Sequence, residues 1–261
     1  MIGIFIGLAA GVFGGLIGVG GGAVMIPLMV RFFKFSQHQG HGTSLMALVF
    51  TGLAGAATYY FKGSAVDLWS AALLAASAML TARFGALYAH ALPEWRLKRA
   101  FGFFLIFISL LLLSKPYLLH VAFIPHHVSG WSQAVVLLAT GVFTGFFSGM
   151  MGIGGGSIMV AAMVLFAGFS QYTAQGSSLL AMVPAAMVGS YTHWRLGNVV
   201  LGVLPWLVGG IIVGTYFGSS LALRLSEPNL RLVFAGMLIL MGLRDIRGAA
   251  KKRAALAATA E

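Results

Sequence analysis

A glycine-rich segment stands twice in this chain, both times inside apolar sequence. Gly18-Val19-Gly20-Gly21-Gly22 returns 134 positions later as Gly152-Ile153-Gly154-Gly155-Gly156. The match runs well past the glycines. Laying 11–45 over 145–179 without a gap gives 17 identities in 35 positions. Among them are Gly11/Gly145, Met25/Met159, Phe35-Ser36-Gln37/Phe169-Ser170-Gln171 and Gly42/Gly176. A glycine run weakens any regular element, because glycine gives up the most backbone entropy on ordering. Duplicated in apolar surroundings, it predicts a membrane protein of two repeats, with irregular backbone kept at membrane depth for a purpose.

Composition narrows the class further. Only 8% of the 261 residues are charged and 59% are hydrophobic, where a soluble domain carries about 25% charged residues. Leu68 to Leu92 is an apolar run of 25 residues, and a bilayer crossing needs about 20. Both features predict an integral, multi-pass membrane protein. The net charge of +11 does not call for nucleic acid, since the basic residues fall in short loops and the C-terminal tail, as membrane topology demands. There are no cysteines, so thiol chemistry is excluded. Residues 1–17 lack a basic n-region and read as the first helix, not a signal peptide.

Apolar segments fall near 2–17, 22–34, 43–61, 68–92 and 97–114, and again near 132–151, 157–168, 176–194, 198–223 and 230–246. At about 1.5 Å per residue, 22–34 and 157–168 are too short to cross a core of about 30 Å. Each glycine run therefore joins a helix to a short helix. If each run reverses the chain, the loop Lys and Arg divide 11 inside (Arg244 among them) against 4 outside, with Arg83 left in a helix. If each run continues in one direction, the split is 8 against 7. The positive-inside rule favours reversal. An odd number of elements per repeat then inverts the second repeat on the first, a transporter architecture with its site between the repeats.

Polar groups at membrane depth each need a reason. The short helices after Gly20-Gly21-Gly22 and Gly154-Gly155-Gly156 present unpaired N–H groups and a positive dipole end, an anion site in waiting. Close packing of small residues is the plainer use of such glycines. His41-Gly42-Thr43-Ser44 is matched by Gln175-Gly176-Ser177-Ser178. These hydroxyls suit an anion, with His41 and Gln175 beside them; they equally suit a helix N-cap. Tyr59-Tyr60 and His193-Trp194 read as interfacial aromatics. Arg83, with Phe217 as its repeat partner, reads as snorkelling.

The acidic residues are Asp67, Glu94, Glu227, Asp245 and Glu261, all at helix ends, loops or the tail. A cation would find little to bind in the membrane, while an anion finds helix N-termini, hydroxyls and histidines. An intramembrane enzyme would need a nucleophile–base pair or a metal set. His126-His127 and the pair His38 and His41 lack carboxylates or thiols nearby in sequence. No catalytic residue, metal site or cofactor is expected.

Gly18-x-Gly20-Gly21-Gly22-x4-Pro27, followed by His38-Gln39-Gly40-His41-Gly42-Thr43-Ser44-Leu45 and its repeat, resembles the TauE/SafE sulfite-exporter family, also called the toluenesulfonate uptake permease family. The resemblance covers essentially the whole chain. It implies a multi-pass transporter of the bacterial inner membrane for small sulfur-containing anions, with an inverted-repeat fold. By position it points to Gly20, Gly21, Gly22, Pro27, Thr43 and Ser44, and to Gly154, Gly155, Gly156, Ser177 and Ser178. Ala161 replaces the proline, Ser177 replaces Thr43 and Gln175 replaces His41 in the second half, so the two half-sites are not equivalent.

The expectation is an all-α polytopic membrane protein of two inverted repeats. Each has about four transmembrane helices plus a short or re-entrant glycine-linked helix, 8–10 elements in all. Residues 1–121 form the first repeat, 122–246 the second, and 247–261 a basic cytoplasmic tail. Its function is expected to be secondary transport of a sulfite- or sulfonate-like anion by alternating access, with an anion channel on the same scaffold as the alternative. Partners are the anionic substrate and the bilayer, not nucleic acid; homo-oligomerisation is left open.

Overall fold

A computed structural model describes residues 2–88, 94–118, 130–152 and 154–258. His90 and His126-His127 lie outside them, as does Ile153. The described residues are helical, without strands. The first half holds α1 (Ile2–Ile17), α2 (Gly22–Phe32), α3 (Gln37–Gly63), α4 (Leu68–Tyr88) and α5 (Glu94–Leu118). The second holds α6 (Trp131–Met151), α7 (Gly156–Leu165), α8 (Gln171–Arg195), α9 (Leu204–Ala222) and α10 (Glu227–Ala258). Four helices, α3, α4, α6 and Leu201–Ala222, are long and apolar enough to cross a membrane. The helix through Arg247, Lys251 and Lys252 runs unbroken to Ala258.

The short helices stop where their sequence stops them. Gly21 and Gly155 form the N-caps of α2 and α7, and neither end has a side-chain cap. By contrast, α3 starts at a capping box. Gln39 N donates to Ser36 Oγ at 3.1 Å and Ser36 N to Gln39 Oε1 at 3.0 Å. The equivalent Ser170 Oγ accepts from Thr173 N at 3.2 Å. The repeated Phe-Ser-Gln is thus a helix-start signal, since a serine there satisfies a first-turn N–H that the helix leaves open. Thr43-Ser44 and Ser177-Ser178 lie inside α3 and α8; they are not caps.

Packing crosses between the halves. α1 lies on α9, and its counterpart α6 lies on α4; α3 pairs with α8 and α5 with α10. Swapping every element for its counterpart leaves this set of pairs unchanged. Small residues set the close approach. A Cβ on Gly11 would stand 2.6 Å from the Ile211 carbonyl, and one on Gly15 2.5 Å from that of Thr215. On the other side, a Cβ on Gly141 would stand 2.6 Å from the Leu74 carbonyl.

Those approaches refine the register. Gly7 and Gly141 are 134 apart, yet they meet Leu207 and Leu74, which are 133 apart. Arg83 therefore corresponds to Tyr216, and not to Phe217. In α5 and α10, Gly102 and Gly242 face each other's carbonyls at 2.6 Å, and each meets the other's neighbour Ile246 or Ile106 at 2.8 Å. That reciprocity sets a shift of 140 and pairs Arg244 with Phe104.

The core is not evenly shared. All ten residues of α7 are buried, whereas α2 leaves Arg31 and Phe32 exposed. The outer face is rich in large apolar side chains such as Phe5, Phe61, Trp69 and Trp131, a surface suited to lipid and not to water.

Candidate functional site

The two glycine loops meet near the middle of the bundle. Gly20 and Gly154 have φ of 91° and 80°, the left-handed region that side chains rarely tolerate. A Cβ on Gly20 would lie 2.5 Å from Leu48 Cδ2, and one on Gly154 3.1 Å from Met182 Sδ. Leu48 and Met182 are themselves equivalent positions, both buried. They form an apolar plug between the loops. A Cβ on Gly156 would reach the Gly18 carbonyl at 2.5 Å, so the loops touch each other directly.

Each loop is held by hydroxyls of the opposite repeat. Ser44 Oγ donates to the Gly152 carbonyl at 2.7 Å and lies 2.8 Å from that of His41. Ser178 Oγ donates to the Gly18 carbonyl at 2.9 Å and lies 2.9 Å from that of Gln175. Thr43 Oγ1 accepts from Val200 N at 3.0 Å, and Ser177 Oγ from Asp67 N at 2.8 Å. All four are fully buried. In this conformation the Ser44 and Ser178 protons are spent on carbonyls, so they hold the loops and leave no proton to donate elsewhere.

Gln175 sits against Gly18, where a Cβ would be 2.8 Å from its own, and His41 sits against Gly152 at 2.7 Å from Cα. The structure thus brings each half's predicted His or Gln and one of its two hydroxyls, Ser44 or Ser178, to the other half's glycine loop, while Thr43 and Ser177 bind the segments ahead of α9 and α4. A sequence alignment of the repeats cannot reveal that exchange.

Tyr59 and His193 correct the sequence reading. Each is 0% exposed, while their neighbours Tyr60 and Trp194 are 49% and 48% exposed. One residue of each aromatic pair faces inward, because adjacent helical positions point about 100° apart. The single Tyr59 Oη proton is shared between Gln175 Oε1 at 2.6 Å and the Gly15 carbonyl at 3.1 Å.

Several buried polar atoms near the loops make no hydrogen bond: Thr51 Oγ1, Ser157 Oγ, Gln175 Nε2 and Thr215 Oγ1. Ser157 stands on the first turn of α7. A buried group of this kind costs about 1–3 kcal/mol unless a water or ligand completes it. Thr51 and Thr215 correspond to Ala185 and Ala82, so neither spare hydroxyl has a polar counterpart in the other half. No group of three His, Cys, Asp or Glu able to hold a metal occurs among the described residues.

Three arginines line two grooves. Arg83 and Arg195 share a groove of about 790 Å³ between α4 and α8. Arg244 is no loop residue: it stands within α10, and its Nη1 donates to the Ala23 carbonyl at 2.5 Å, beside the first glycine loop.

Residues 3–244 match the family model described as "Sulfite exporter TauE/SafE". The chain is 30% identical over 260 residues to "Probable membrane transporter protein YunE" of Bacillus subtilis, covering 92% of this chain and 94% of that protein. It is 26% identical over 222 residues to "Probable membrane transporter protein YdhB" of the same organism, with 84% and 89% covered. An archaeal relative, "Probable membrane transporter protein MJ0441" of Methanocaldococcus jannaschii, is 22% identical over 265 residues, with 92% of each covered. No solved structure matches the chain.

Proposed function

Because the chain belongs to the sulfite exporter TauE/SafE family, we propose that it is a secondary transporter moving a small sulfur-containing anion, sulfite or a sulfonate, by alternating access. The observation that carries this reading is the reciprocal clasp: Ser44 on the Gly152 carbonyl and Ser178 on the Gly18 carbonyl. Irregular backbone is tolerated at membrane depth only where protein or a water-filled path surrounds it. Here two such loops touch, plugged by Leu48 and Met182, with uncapped short-helix ends beside them. Uncapped helix N-termini favour an anion through their open N–H groups and dipole.

In this reading the two repeats are inverted, the C-terminus is cytoplasmic and the membrane is the bacterial inner membrane. Opening one clasp while the other stays closed exposes the centre to one side at a time. The unsatisfied Ser157, Gln175, Thr51 and Thr215 groups supply donors once the plug moves. Reconstituted vesicles loaded with unlabelled sulfite or isethionate should accumulate labelled substrate by counterflow. Counterflow requires a carrier; flux without it would assign an anion channel, and no flux of either substrate would sink the proposal.

A further inference from the structure

The groove between α4 and α8 has an equivalent on the other half, between α9 and α3. Tyr216, Ser220, Phe61 and Lys62 stand there in the places of Arg83, Leu87, Arg195 and Leu196. Lys62 Nζ donates to Tyr216 Oη and to Ser220 Oγ, each at 2.9 Å, and lies 4.1 Å from the centre of the Tyr216 ring. The cation on that side is thus satisfied by the chain's own side chains. Arg83 and Arg195 differ. Among the described residues neither guanidinium forms a hydrogen bond or an ion pair, and no carboxylate lines their groove.

Arg83 and Arg195 are exposed, and so are Phe84, Leu87, Met187 and Tyr191 around them. A face this apolar meets lipid and not water. Arg195 ends α8, and Arg83 lies five residues before the end of α4, about 7–8 Å along the helix. Both helices therefore bring their C-terminal ends to one side of the bundle. Tyr191 and Trp194 stand exposed at that end with rings 6.0 Å apart, amphipathic side chains of the kind that mark headgroup level. Deeper in the two helices, Met79, Pro184 and Met187 continue the groove as apolar wall. Basic grooves between membrane helices hold lipid phosphates, and a guanidinium takes a phosphate by two parallel N–H bonds. A zwitterionic headgroup would set its own ammonium against the second arginine, which favours a lipid of net negative charge.

We propose that this groove seats one anionic phospholipid, its phosphodiester between Arg83 and Arg195 and an acyl chain along Met79, Pro184 and Met187. The counterpart groove, its cation already bonded, is not such a site. The inference is independent of what the chain transports, so vesicle flux bears only on the transporter reading.

Native mass spectrometry of protein purified in detergent counts bound lipid while phosphatidylglycerol or phosphatidylethanolamine is titrated. One phosphatidylglycerol should be retained, roughly tenfold or more tightly than phosphatidylethanolamine. R83Q with R195Q should weaken it by about tenfold or more. K62Q with R224Q, which removes equal charge beside the counterpart groove, should leave it unchanged. Should R83Q with R195Q not fold, Met187→Trp fills the groove from its exposed face with both charges intact and should weaken retention similarly. Equal retention of the two lipids, or unchanged affinity in every folded groove variant, overturns the site. An equal loss in K62Q with R224Q also overturns it, because net charge alone would then account for the effect. Glycerol 3-phosphate that displaces the lipid at equal concentration would assign the groove to a soluble phosphate and overturn the lipid as occupant.

Discussion

Tyr59 and His193 occupy equivalent positions and make the same bond with different chemistry. Tyr59 Oη donates to the Gly15 carbonyl at 3.1 Å, and His193 Nε2 to the equivalent Gly149 carbonyl at 3.1 Å. A carbonyl only accepts, so His193 carries its proton on Nε2 here. Each anchors the last turns of the helix leading into a glycine loop. Tyr59→Phe leaves the Gly15 and Gln175 oxygens without this donor and should cost about 1–2 kcal/mol. Tyr60→Phe, on the exposed side, should stay within about 0.5 kcal/mol. Thermal unfolding in detergent compares the two.

Gly20→Ala should be strained twice, by its positive φ at about 1–2 kcal/mol and by Leu48 at 2.5 Å. Shortening Leu48 to Ala removes only the second. The pair should therefore be less destabilising than the sum of the single changes, by roughly 0.5–3 kcal/mol. Strict additivity in a double-mutant cycle would mean that the plug does not rest on the loop.

The crossing of α1 on α9 predicts a contrast between glycines. Gly11→Ala forces a methyl to 2.6 Å from the Ile211 carbonyl and 2.8 Å from the Thr215 nitrogen, while Gly209 has nothing within 4 Å. Gly11→Ala should destabilise by about 1–3 kcal/mol, and Gly209→Ala should be neutral or better. Equal effects would argue against this crossing.

Removing both clasping hydroxyls, Ser44→Ala with Ser178→Ala, should abolish counterflow while the protein still inserts. Each deletion alone should cost about 0.5–1.5 kcal/mol. Unimpaired flux in the double variant would separate the clasp from transport.

The absence of cysteine makes topology directly measurable. Single cysteines at Lys34 and Arg195 should react with an impermeant maleimide from the cytoplasmic side, and those at Lys62 and Arg224 from the other. Labelling of Lys34 and Arg195 from opposite faces would rule out inversion of the second repeat.

Much of this was legible in the chain. The duplicated glycines marked both loops, and their spacing to the next helix gave two helices too short to span. Partnership was not legible. Alignment pairs Ser44 with Ser178, yet neither serine holds its own loop. Periodicity also failed at Tyr59 and His193. Where one face meets lipid and the other meets protein, both are apolar, so the sequence has no wet side to orient the helix. Arg244 was obscured differently: it is close in sequence to the basic tail, and only the packing of α10 sets it beside Ala23.

The exchange of α1 onto α9 has a consequence for how the chain is made. Ile2–Ile17 and Leu204–Ala222 are separated by most of the translation time. At about 5–20 residues per second, the first helix waits on the order of 10–40 s before its partner leaves the ribosome. In the folded chain the face carrying Gly7, Gly11 and Gly15 meets α9, which does not yet exist during that interval. A chain truncated ahead of α9 should therefore be degraded rapidly in cells, and co-expression of the missing half should rescue it.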